Sequence, residues 1–344
     1  MNKIIKYFSL LIILSLGTIS CNDDKSPVYE LKSAPVITPL ENPILVLNEA
    51  SADFIAETFS WSKGDYGFSA APLYVLQADN DPSFPDPINL AESTQNYVSV
   101  TVDKLNTAAT ILGAQPGIPF ETYIRLQARL TNNDVVYSSS TDLQVSTYPT
   151  VIIYPKLYVP GSYQGWDIAN APTLVSYRMN NKYEGFLNLI DANNPNAPIT
   201  FKLTSQPAWG QGNEYGSGEG PGTLALKGGD ISISPQGYYL MNVDLNTLTY
   251  TATQITEITV YGPSAEEETA FIYNPATQSW ETTISLTQGN ISFRINRNSN
   301  FNYGDNNNDG FLEKNSVVNI EENGIYKINL FLEEVPCRYE FIKQ

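Results

Sequence analysis

Residues 199–216 read ITFKLTSQPAWGQGNEYG, and a looser copy, ISFRINRNSNFNYG, runs over residues 291–304. Ile199, Phe201, Lys202 and Leu203 match Ile291, Phe293, Arg294 and Ile295, and Trp209 matches Phe301. In each copy apolar residues alternate with polar ones, the period of a strand with one face buried. Each strand then runs into a polar loop carrying two aromatics, Trp209 and Tyr215 in the first, Phe301 and Tyr303 in the second. A cationic residue between core positions beside a pair of aromatics suits a flat, hydroxyl-rich ligand. A sugar ring offers an apolar C–H face to the aromatic and hydroxyls to the charged donor. The expectation is therefore a carbohydrate-binding β-protein.

The chain before the repeat reads in blocks. Residues 1–20 are expected to be a signal peptide, with Lys3 and Lys6 as its positive start and a short apolar core after them. The segment ends in TISC, and a small residue before Cys21 resembles a bacterial lipobox, so Cys21 is expected to carry the lipid. The alternative is an ordinary signal peptide that happens to contain a cysteine. Residues 21–34 read as an acidic and polar linker; NDDK directly after Cys21 resembles the surface-export signal of Bacteroidetes lipoproteins. The remaining cysteine, Cys337, then has no disulfide partner within the chain, and the fold rests on its core.

Charge narrows the partners. The formal net charge is −17, and −19 once Lys3 and Lys6 leave with the leader. Such a surface repels nucleic acid and anionic membranes. The hydrophobic fraction of 42%, with 22 tyrosines, is too high for a disordered acidic chain.

From residue 35 to 148, six or seven short strand-like runs alternate with turn clusters, which suggests an immunoglobulin- or fibronectin-like sandwich. Trp61 is expected as its core aromatic, and residues 105–112 as a single helical turn. The order of Trp61, YVLQA at 74–78, Phe84, IRLQAR at 124–129 and VSTY at 145–148 resembles the N-terminal domain of SusE-type outer-membrane proteins of Bacteroidetes starch-utilisation systems. The resemblance implies a spacer domain without a sugar site.

Residues 149–155 form the next boundary. Then LYVPGSYQGWD at 157–167, YEGF at 183–186, the 199–216 stretch and GYYL at 237–240 are similar to the repeated C-terminal modules of SusE and SusF. These imply carbohydrate-binding β-sandwiches, one at 156–255 and a diverged one at 258–344. The fold class expected is thus all-β, a sandwich followed by two carbohydrate-binding-type modules. The family pattern implies two aromatics cradling a glucan turn beside a cationic donor. Here that means Trp166, Lys202, Trp209 and Tyr215. Arg294, Phe301 and Tyr303 form the corresponding weaker site, in a module that lacks the Gly161–Trp166 turn. Trp280 is expected as a strand residue.

The chemistry argues against catalysis. The chain has no His and no usable cysteine nucleophile, and its carboxylates sit in turn-like contexts such as residues 266–268. The run GSGEGPG at 216–222 lacks phosphate-cradle spacing and reads as a flexible loop. DNNNDG at 305–310 matches the start of a calcium loop through Asp305, Asn307 and Asp309. Its twelfth position is Ser316 instead of Glu, so an Asn/Asp/Gly turn is the expected reading, with no metal and no cofactor. The function expected is capture of a neutral glucan, most simply starch or maltooligosaccharides, at the outer face of the outer membrane, near a TonB-dependent porin and other surface lipoproteins. The alternative is a structural subunit of such a complex that binds no sugar.

Overall fold

The computed structural model describes residues 29–131, 134–305 and 308–344. The expected leader, Cys21 and most of the linker lie outside the described residues. Among the described residues the fold is all-β, with one ten-residue α-helix, Val102–Ile111.

The N-terminal part places two sheets around one core. The larger runs, in spatial order, Ile44–Val46, Thr141–Ser146, Pro119–Arg129, Leu73–Asp79 and Ile88–Ser93, with Val135–Tyr137 on Pro119–Arg129. The smaller holds Val36–Ile37, Ile55–Ser62 and Tyr97–Thr101. Alternation fixes the register: Leu76 faces Leu126 and Ala78 faces Ile124, all fully buried between the sheets. Trp61 is buried and meets Tyr74 edge-on at 5.2 Å. The helix is longer than the single turn expected. Thr101 caps it by accepting the Lys104 N–H, and Leu105, Ala108 and Ala109 bury one face. The β-branched run leading into it masks its start.

The middle part has one eight-stranded sheet and a small two-stranded one. The large sheet runs Leu224–Leu226, Glu214–Ser217, Leu203–Thr204, Lys156–Tyr158, Thr173–Val175, Lys182–Leu189, Gly237–Asp244 and Thr249–Ile255. The small one pairs Ile199–Phe201 with Ile231–Ile233. The run expected as one strand therefore serves two sheets, because its pairing breaks at Lys202. Its alternation survives the break: Ile199, Phe201 and Leu203 all point into the core.

The C-terminal part is again two sheets. One orders Thr269–Ala270, Ile258–Tyr261, Gly289–Ile295, Asn302–Gly304 and Glu313–Lys314, with Val318–Ile320 beside Gly289–Ile295. The other orders Ile272–Asn274, Ser279–Leu286, Gly324–Phe331 and Arg338–Lys343. Its core does not divide from the middle part at residues 255–258: Phe186, Tyr238 and Leu240 are buried in the same cluster as Phe293, Tyr303 and Leu330. Strands Lys182–Leu189 and Gly237–Asp244 are thus covered on both faces. Leu187, Leu189, Tyr239 and Met241 fill the middle core, and the intervening residues fill the C-terminal one.

Polar contacts fasten that junction. Tyr238 and Tyr273 both donate to Glu333 Oε1, at 2.5 and 2.9 Å, with Trp280 packed against both rings. Burial, with Glu333 beside it, pushes the Tyr238 hydroxyl far above the usual phenol range. Tyr303 donates to Glu184 Oε1 at 3.2 Å, and Lys314 pairs with the other Glu184 oxygen.

On the outer face of the last sheet, Glu281 pairs with Lys327 at 2.8 Å and also accepts from Thr277 and Asn274. These contacts, the Lys327 hydrogen bond first, hold its carboxyl at about 2 against an ordinary value of 4.5. A carboxyl lowered on folding stabilises the fold above its unfolded value, and this contribution is lost as pH falls through the folded one. Glu281→Gln is therefore expected to flatten the acid-unfolding curve between about pH 4.5 and 2, as followed by circular dichroism. An unchanged curve would remove Glu281 from acid stability.

Candidate functional site

The first tryptophan of the expected site sits in a tight reversal after strand Lys156–Tyr158. Gly161 bridges to Phe201 so closely that a Cβ there would lie 2.6 Å from the Thr200 carbonyl oxygen. A single 3-10 turn, Ser162–Gln164, follows, and the Trp166 N–H returns to the Gly161 carbonyl at 2.9 Å. Gly165 and Trp166 both take left-handed conformations, with φ of 72° and 62°. For a residue other than glycine this backbone costs about 1 kcal/mol or more, so a half-buried Trp held there is a strained feature. Gln164 grips the next residue at two points. Its Oε1 accepts the Asp167 N–H at 2.6 Å and its Nε2 donates to the Asp167 carbonyl at 2.7 Å.

The second tryptophan rides on the loop between Leu203–Thr204 and Glu214–Ser217. Ser205 and Asn213 close the loop: the Ser205 N–H donates to the Asn213 carbonyl, and the Asn213 N–H donates to Ser205 Oγ, both at 2.9 Å. The Gly210 N–H donates to Glu214 Oε1 at 2.6 Å. Trp209 is 41% exposed. Its ring centre lies 6.3 Å from that of Trp166, and the two planes are tilted by 46°. Two loops far apart in the chain thus bring two indoles together at the surface.

Lys202 points out of the core, as its alternation with Phe201 and Leu203 requires. Its backbone N–H donates to the Pro160 carbonyl at 3.0 Å, which ties it to the strand leading into the Trp166 turn. Its ammonium donates to the Gly228 carbonyl at 2.6 Å and lies 3.3 Å from Asp230. Sequence reasoning missed this anchor; the only signal was the acid closing KGGD at 227–230. That segment packs on Gly216, where a Cβ would lie 1.9 Å from the Gly229 carbonyl oxygen. The run 216–222, read as a flexible loop, is instead a packed strand end and a turn closed by the Gly218 N–H on the Thr223 carbonyl.

Tyr215 does not join the two tryptophans. It lies in strand Glu214–Ser217, opposite Leu203 and Leu226, and is 9% exposed. Cross-strand partners share a face, so a tyrosine opposite the core residue Leu203 points into the core.

The second site does not assemble. Arg294 lies over the Tyr261 ring at 3.9 Å and pairs with Glu268 at 2.7 Å, a carboxylate shared with Arg297. Tyr303 is buried against Phe186, 5.7 Å between ring centres, and Phe301 is half-buried on the same core. The middle sheet covers the aromatics that the repeat seemed to leave exposed. Trp280 is a buried strand residue, as expected.

At the DNNNDG motif, Asp305 is buried. Its Oδ2 accepts from the Gly310 N–H at 2.8 Å and from the Tyr339 hydroxyl at 2.9 Å. Asp309 accepts the Phe311 N–H at 3.0 Å, and Asn307 lies outside the described residues. Among the described residues no group of three or more His, Cys, Asp or Glu side chains is placed to hold a metal. Cys337 is buried, and that burial pushes its thiol up to about 12.

A crystal structure of SusF from Bacteroides thetaiotaomicron aligns with 90% of this chain and 76% of its own, at 14% identity and a TM-score of 0.25, too low to carry an argument. No curated protein matches. Residues 22–127 match the model of the SusE outer membrane protein family. The match covers the N-terminal part of the chain, which is similar to that family.

Proposed function

We propose that this chain is a non-catalytic outer-membrane protein, anchored through Cys21 and facing the cell exterior, that captures a neutral glucan. The observation that carries the reading is the Trp166–Trp209 pair. An indole left 41% exposed at the surface has a reason to be there when a ligand covers its face. Two rings tilted by 46° suit a curved chain better than a flat ribbon, which favours starch or maltooligosaccharides among neutral glucans. Lys202 has three ammonium protons and two internal acceptors, Gly228 and Asp230, which leaves one for a sugar hydroxyl. Tyr215 supports the strand behind the loop instead of stacking. With Tyr303 buried and Arg294 paired, one platform remains among the described residues, and avidity comes from many copies on a surface. Starch held in this way would be handed to a neighbouring TonB-dependent porin.

Affinity electrophoresis of the chain from Lys25 onward tests this. Retardation in gels containing amylopectin, and not in gels containing a β-glucan, is expected. Retardation by the β-glucan alone would keep the platform and change the substrate. Migration unaltered by every polymer would favour a structural subunit of a surface complex.

A further inference from the structure

Each tryptophan of the platform is followed by a residue whose backbone is gripped by a nearby side chain. After Trp166 the Asp167 N–H and carbonyl are both taken by Gln164. After Trp209 the Gly210 N–H is taken by Glu214. Neither clamp belongs to regular pairing, and neither residue was singled out by its type or spacing. Trp166, at φ 62°, holds a conformation that a residue other than glycine does not favour unaided. Trp209 and the residues around it are exposed on a loop.

We propose that Gln164 and Glu214 are positioning residues that fix the distance and tilt of the two indoles before any ligand arrives. The ligand in this inference rests on the glucan reading above; the preorganisation does not. A platform whose rings are already set loses little conformational freedom on binding, so the clamps raise affinity without touching sugar. They also set selectivity, since a fixed tilt accepts one chain curvature, whereas loosened rings adapt to several.

The test uses two readouts. Of the four tryptophans, Trp61 packs on Tyr74, and Trp280 packs on Tyr238 and Tyr273. A far-ultraviolet indole–indole exciton couplet therefore reports on Trp166 and Trp209, and its loss in Trp209→Phe assigns it. Glu214→Ala and Gln164→Ala are each expected to shrink the couplet and weaken amylopectin binding about tenfold, with the melting curve unmoved. Glu214→Gln, whose amide oxygen still accepts the Gly210 N–H, is expected to restore both. An unchanged couplet in both alanine variants overturns the proposal, whatever happens to affinity. So does an absent couplet in the wild-type chain. A couplet that shrinks in a chain binding no glucan sustains the positioning role and removes only the glucan reading.

Discussion

Phe186→Ala is expected to destabilise the C-terminal strands by about 3–5 kcal/mol, although Phe186 belongs to a strand of the middle sheet. The ring is 5% exposed and lies among Ile258, Phe293, Ile295, Tyr303 and Leu330, all from the C-terminal part. Its removal forfeits the transfer of a large apolar side chain and leaves a cavity, since packed neighbours relax only in part. It also removes the edge-on contact with Tyr303, which such pairs make worth about 1 kcal/mol, and loosens the Tyr303–Glu184 hydrogen bond. Phe186→Leu, which keeps most of the volume, is expected to cost far less. Hydrogen exchange locates the effect. Protection should fall in strands Gly289–Ile295 and Gly324–Phe331, while Leu73–Asp79 in the N-terminal core keeps its own. Loss of protection confined to Lys182–Leu189 and its immediate partners would show that the two parts fold independently, and would sink the idea of a shared core.

The same residue marks where sequence reading stops. Alternation at Phe201, Lys202 and Leu203 was legible because a period of two with one polar position has one physical solution, core on one side and solvent on the other. Trp209 was read as exposed from the polar loop around it, and it is 41% exposed; Trp166 is half-buried. Phe186, Tyr238 and Leu240 were not legible. Periodicity tells whether a face is apolar, not what covers it, and Tyr238-Tyr239-Leu240-Met241 is an unbroken apolar run that fits burial on both faces only in retrospect. Tyr215 and Tyr303 failed for a related reason. A tyrosine near a loop reads as exposed, but its face is decided by its cross-strand partner, here Leu203 and Phe293, and pairing is a tertiary fact. The anchors of Lys202 lie 26 and more residues away in the chain, at Gly228 and Asp230, beyond any local pattern.

Trp209→Ala is expected to weaken glucan binding by about thirtyfold, near 2 kcal/mol, the scale of an interface tryptophan whose face is fully used. The fold should not register the change. Trp209 is 41% exposed on a loop closed by Ser205 and Asn213, and substitutions in such places move stability by about 0.5 kcal/mol or less. Loss of retardation can then be assigned to the ring itself. Trp209→Phe should fall between, because it keeps a π face of smaller area and loses the indole N–H. Phe301→Ala supplies the contrast. Phe301 is the sequence counterpart of Trp209 but packs half-buried on the C-terminal core, so its removal should cost stability and leave retardation in amylopectin unchanged. Affinity electrophoresis of the three variants beside the wild-type chain separates the two places. Equal retardation of Trp209→Ala and wild type would mean that the indole pair is not where glucan binds. Loss of retardation in Phe301→Ala with an intact fold would move the site to the C-terminal part, against the burial of Tyr303 and the pairing of Arg294 with Glu268.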